Sequence, residues 1–114
     1  MSEQTEIIER RMQVAREFAS WVRERLGDVV LAARVFGSVA RGDATEESDV
    51  DVFLLLSRKL TFEEELDVAG RGFDLLMETG VFVQWVDETH ERWRTPVIHG
   101  SGLARAVRSE GVAV

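Results

Sequence analysis

The chain has 114 residues, the size of one small domain, so residues 1–114 are expected to share a single core. Its 21 acidic against 14 basic residues leave a net charge of −7, which argues against direct nucleic-acid binding, since that needs Lys and Arg to neutralise phosphates. The absence of cysteine excludes disulfides and thiolate chemistry, and no apolar run is long enough to cross a bilayer. With the polar, acidic start Met1–Glu6, a cytoplasmic domain is expected.

In chain order, Ile8, Met12, Ala15, Phe18, Val22 and Leu26 recur at steps of three and four, which predicts an amphipathic helix over 5–26 that Gly27 ends. Arg and Glu fill its other, solvated face. A strand follows over 29–36 and stops at Gly37. The segment 37–48 is small, polar and punctuated by glycine. Val50–Leu56, apolar except at Asp51, reads as a buried central strand. Thr61 and Glu64 have capping-box spacing at the head of a second long helix, with Leu66, Ala69, Phe73, Leu76 and Met77 as its inward stripe and Gly80 as its stop. A third strand is expected over 81–86. Asp87 would cap a short helix stopped by Pro96, and a last helix over 103–109 would bury Leu103, Ala106 and Val107. Val112–Val114 is expected to add an edge strand. The order predicts an α/β (α+β) fold, a sheet of three or four strands with helices packed on one face.

The chemistry concentrates between Gly37 and Asp51. Asp49 and Asp51 flank one residue, so a strand directs both to the same face. Two neighbouring carboxylates repel each other, and a hard divalent cation with oxygen ligands relieves that repulsion. Gly37-Ser38, at the end of a strand, offers free backbone N–H groups, a residue without Cβ and a hydroxyl donor, which together suit a phosphate. Arg41 lies one turn on and suits either a phosphate or a nearby acid. Gly42 lets the chain leave in a left-handed conformation. An anion cradle beside a metal-binding acid pair describes a site for a nucleoside triphosphate with Mg²⁺.

Gly37-Ser38-Val39-Ala40-Arg41-Gly42, followed by Ser48-Asp49-Val50-Asp51, closely resembles the signature of the polymerase-β-like nucleotidyltransferase superfamily, in particular of minimal nucleotidyltransferase (MNT) domain proteins. The ending Ser109-Glu110-Gly111-Val112 resembles the usual close of one subgroup. The resemblance implies a palm-like sheet, nucleotide contacts from Gly37, Ser38, Arg41, Gly42 and Ser48, and catalytic metal ligation by Asp49 and Asp51. Two Mg²⁺ ions would sit there, roughly 3.5–4 Å apart. It implies transfer of a nucleoside monophosphate, commonly AMP from ATP, to a hydroxyl. It also implies a HEPN-domain partner, as in toxin–antitoxin modules, and leaves homo-oligomerisation open.

One feature departs from that pattern. Active relatives usually carry a third carboxylate on the next central strand, where this chain has Gln84. An amide offers one carbonyl oxygen to a metal but cannot act as a base. Two functions follow: an Mg²⁺-dependent nucleotidyltransferase acting on a hydroxyl of a partner protein, or a catalytically weak or inactive MNT-type antitoxin or nucleotide-binding module that acts by binding a HEPN-domain partner. Trp85, next to Gln84, should face away from the site and pack under a helix. Trp21 and Trp93 read as core or interface anchors, and His90 and His99 as exposed structural residues.

Overall fold

Ser2 sets the start of the first helix. Its hydroxyl accepts the Thr5 amide hydrogen at 3.1 Å, and α1 (Glu3–Leu26) then runs 24 residues to Gly27. In this computed structural model, which describes residues 2–114, α1 buries Val14, Ala15, Phe18, Ala19, Val22 and Leu26 along one stripe. Ile8 and Met12 pack at its edge. A single 3-10 turn, Gly27–Val29, leads into β1 (Val30–Phe36). The one-turn helix α2 (Ser38–Arg41) follows, and then β2 (Val50–Leu56), at the bounds expected from its apolar run.

Val50, Val52, Leu54 and Leu56 alternate onto one face of β2 and meet α1 and α3 (Phe62–Thr79) in the main core. Full burial of each such side chain contributes about 1.5–3 kcal/mol. Thr61 caps α3 with the capping box expected: its hydroxyl accepts from Glu64 N–H at 3.1 Å, and the Glu64 carboxylate accepts from Thr61 N–H at 2.8 Å. α3 carries the chain across to β3 (Val83–Thr89), which pairs parallel with β2. β1 pairs antiparallel with β2 and with the short edge strand β4 (Val112–Ala113), so the strand order is β3-β2-β1-β4.

The two long helices share one face of the sheet, as expected. The opposite face is covered only in part, by the short helices α4 (His90–Trp93) and α6 (Gly102–Glu110). There Phe53 stacks on Trp93 with ring centroids 4.6 Å apart, and Ala104 and Val107 of α6 are buried. Trp93 is therefore an internal anchor of this second layer. Trp85 packs against the helix-side core, as expected. Among the described residues, no helix is long and apolar enough to cross a membrane.

Five expectations are corrected. The third strand starts two residues later and runs three further, because its ladder with β2 pairs Leu54, Leu55 and Leu56 with Asp87, Glu88 and Thr89. Asp87 is thus a strand residue, and Thr89 caps α4 by accepting from Arg92 N–H. Pro96 starts α5 (Pro96–His99) at a first-turn position, where its missing N–H has no cost. In α3 the buried residues are Glu64, Val68, Gly72 and Leu75, whereas Leu66, Ala69, Phe73 and Met77 face outward. α6 likewise buries Ala104 and Val107, with Leu103 and Ala106 at the margin.

Candidate active site

β1 ends at Phe36, and the chain turns at Gly37, whose φ of +78° is a left-handed conformation that side-chain-bearing residues avoid. A second constraint acts at the same atom. The Asp51 carboxylate lies against the Gly37 Cα, so that a Cβ there would collide with Asp51 Oδ2. Only glycine lets the acid and the turn come this close. α2 then makes one turn, closed by Arg41 N–H donating to Gly37 O at 3.0 Å and Asp43 N–H donating to Ser38 O at 3.0 Å. Gly42 leaves the turn at φ +84°, as its place in the sequence anticipates.

Across the sheet, Phe36, Asp51 and Gln84 are register neighbours on β1, β2 and β3. Asp51 and Gln84 therefore share the face opposite the main core. Asp49 precedes β2 by one residue, is exposed, and acts electrostatically on Asp51. Asp51 is half-buried, and burial first, then the charges of Asp49 and Glu110, raise its pKa above the usual carboxylate range against the lowering effect of Arg41. Among the described residues neither aspartate forms a salt bridge. A half-buried carboxylate with a second, exposed carboxylate beside it is an arrangement that a bound cation would stabilise. No group of three His, Asp or Glu side chains converges as a self-sufficient metal site among the described residues. A cation held here would need further oxygens from outside these residues.

Two residues that complete the site were not singled out from sequence. Arg11, on α1, falls by periodicity on the helix face expected to be solvated. It is 5% exposed and reaches under the loop before β2. Its guanidinium donates to Ser48 O at 2.8 Å and to Glu46 O at 2.7 Å, holding the segment that delivers Asp49. The Ser48 hydroxyl accepts from Thr45 N–H at 2.8 Å, so Ser48 shapes this loop. The second residue is Glu110, at the end of α6. Its Oε1 accepts from Gly37 N–H at 2.9 Å and pairs with Arg41 Nη1 at 3.2 Å. A carboxylate thus occupies the Gly37 N–H and meets Arg41, two groups the sequence offered to an anion. The only sequence trace of it was the Ser109-Glu110-Gly111-Val112 ending. Arg41, open between two roles from sequence, also lies 3.4 Å from Asp43.

Gln84 occupies the position expected for a third acid, directly beside Asp51. Asp87 cannot replace it: three residues on, it sits on the other face of β3. There burial and the charges of Glu65 and Glu88 raise its pKa.

The comparisons with known proteins agree with this geometry. Residues 23–104 match the family described as Polymerase beta, Nucleotidyltransferase. Two relatives from Methanocaldococcus jannaschii are described as candidate protein adenylyltransferases. One is 40% identical over 53% of this chain and 57% of its own length; the other is 32% identical over 67% of this chain and 71% of its own length. The chain therefore spans little more than half of the first relative. A candidate minimal nucleotidyltransferase of solved structure is 28% identical, with TM-score 0.61 over 94% of this chain and 95% of that one. A chain from the complex of a tri-AMPylated Shewanella oneidensis HEPN toxin with MNT antitoxin has the same fold, with TM-score 0.56 at 16% identity over 90% of this chain and 70% of that one.

The half-open sheet with its acid pair beside a glycine turn defines a nucleotidyltransferase fold. The chain belongs to the polymerase-β nucleotidyltransferase family, and its structural neighbours include minimal nucleotidyltransferases.

Proposed function

We propose that this chain transfers AMP from ATP to a hydroxyl of a partner protein, with Asp49 and Asp51 holding Mg²⁺. The observation that carries the proposal is the contact of the Asp51 carboxylate with the Gly37 turn: a cation held by the acid would lie beside a phosphate held by the turn. The donor set fits the ion: hard carboxylate oxygens on a rigid strand end, with the Gln84 amide next to them. When bound, Mg²⁺ would supply charge neutralisation at the phosphates and acidify the attacking hydroxyl.

The chain's own residues do the rest. The Gly37 N–H, the first turn of α2 and the Ser38 hydroxyl face the phosphate tail, and Arg41 adds a positive charge beside it. Arg11 fixes the loop that sets Asp49 relative to Asp51. Glu110 must leave the Gly37 N–H before a phosphate takes it. The acceptor oxygen bonds to the α-phosphorus as the bond to pyrophosphate breaks. Gln84 cannot accept the hydroxyl proton, which passes to the aspartate pair or to water. The acceptor class follows from relatives described as protein adenylyltransferases and from the AMPylated toxin in the related complex.

The proposal is tested by incubating the protein with ATP labelled on the α-phosphate, Mg²⁺ and a co-purified partner. Label on the partner that disappears in Asp49→Asn/Asp51→Asn is expected; unlabelled partner would refute transfer. Gln84 beside Asp51 favours a second reading, in which the chain binds nucleotide and partner without turnover. That reading requires nucleotide binding with no label transferred.

A further inference from the structure

The outward face of α3 carries Phe62, Leu66, Ala69, Phe73 and Met77, a row at steps of three and four along the whole helix. The four large side chains are 75%, 56%, 60% and 71% exposed. Taking roughly 200 Å² for a full side chain of this size, they present about 500 Å². That is as large as the largest apolar patch of a typical monomer, roughly 300–600 Å². It is also more than half of one partner's share of a standard interface, about 800 Å². The row lies opposite the buried residues Glu64, Val68, Gly72 and Leu75, so it contributes nothing to the core. It also lies on the helix layer, away from the sheet face that carries Asp51 and Gln84.

The rim decides what can cover it. By helical position Glu65 borders the row on one side and Glu63 and Asp74 on the other, and all three are exposed. The one arginine of α3, Arg71, is turned toward the body of the protein and lies 3.9 Å from Glu78. A second copy of this chain would set acid against acid across the seam, in a protein of net charge −7. A surface bearing its own apolar row between Lys or Arg residues would meet both the row and its rim.

We propose that the outward face of α3 is the docking surface for a partner protein, through a helix whose apolar stripe is flanked by basic residues. This deepens the partner assignment made above and rests on it. It leaves the candidate nucleotide site, on the other face of the sheet, uncovered.

Two synthetic amphipathic helices of about 20 residues, with the same leucine stripe and either lysine or glutamate flanks, test the surface by calorimetry on the full chain. The lysine-flanked peptide is expected to bind in the micromolar range. Binding should weaken at least tenfold with glutamate flanks or with Phe73→Asp/Met77→Asp. ATP–Mg²⁺ binding, measured on the same samples, should be unchanged in that variant, and its circular dichroism should be native, since both side chains point to solvent. Equal binding of the two peptides, binding of neither, or a homodimer in sedimentation velocity that the Asp variant abolishes would each overturn the proposal. Failure of ATP binding by the parent protein would instead count against the nucleotidyltransferase reading.

Discussion

Glu110→Gln should tighten nucleotide binding. The Glu110 carboxylate accepts from Gly37 N–H at 2.9 Å and meets Arg41 at 3.2 Å, so under the proposed function a triphosphate would reach the turn only in the fraction of molecules where this contact is open. A hydrogen bond to a charged group is worth about 1.5–3 kcal/mol, against about 0.5–1.5 kcal/mol for a neutral one. The Arg41 pair is exposed on one side and adds little. Glutamine keeps an acceptor oxygen, so the substitution removes the difference, about 1 kcal/mol. That is roughly a fivefold fall in Kd. The lost negative charge beside the phosphates acts in the same direction. The assay is calorimetric titration of ATP with Mg²⁺ at low ionic strength, where the gain is largest. By linkage, ATP should in turn loosen the end of the chain, raising hydrogen exchange at Val114, whose N–H donates to Ala33 O at 3.1 Å. Unchanged or weaker binding in Glu110→Gln would refute the argument. It would show that the carboxylate supports the nucleotide-bound state and does not compete with it.

Other consequences concern stability. The raised pKa of Asp51 means that the folded state holds this proton more tightly than the unfolded state. Stability should therefore fall as pH rises from the unfolded aspartate value of about 3.9 through the higher folded one. Asp51→Asn should remove that part of the fall and melt at a higher temperature at pH 7 while losing ATP–Mg²⁺ binding; a lower melting temperature would contradict the account of an uncompensated carboxylate. Glu64 works in the opposite sense. Arg58 first, then the Thr61 N–H, push its pKa down to about 2, so its contribution is present above the ordinary glutamate range and lost as pH falls toward 2. Urea titrations of Glu64→Gln and the parent should diverge at pH 7 and converge near pH 2. Arg11→Met removes the donors to Ser48 O and Glu46 O, leaving part-buried carbonyls without partners. The expected cost is about 2–3 kcal/mol of stability by denaturant unfolding, with weaker nucleotide binding through the displaced Asp49. A loss under about 0.5 kcal/mol would show that the loop holds itself.

The Gly37 turn, the neighbouring acids and β2 were legible because their signals are local. Gly37 must be glycine for its φ and for Asp51, Asp49 and Asp51 are close enough in sequence for one charge to act on the other, and a strand buried on its core face and partly covered on the other reads as an apolar run broken only at Asp51. What failed depends on the rest of the fold. α3 has apolar residues on both sides, so periodicity alone could not say that Val68 and Leu75 point inward and Phe73 and Met77 outward. Arg11 has the composition of a solvated face until a loop 35 residues away places two carbonyls over it. Asp87 and Glu88 look like the first turn of a helix, yet the ladder with β2 holds them extended. Glu110 reaches the site only through the packing of α6 on β1, which no spacing near the motif announces.

The central claim is that Asp49, Asp51 and the Gly37 turn form one site for a metal-bound nucleotide. Titration of ATP into the parent protein and into Asp49→Asn/Asp51→Asn, each with Mg²⁺ and with EDTA, measures it most directly. The account predicts binding by the parent with Mg²⁺ that weakens at least tenfold in EDTA and in the double variant. Equal affinity in all four titrations would contradict it.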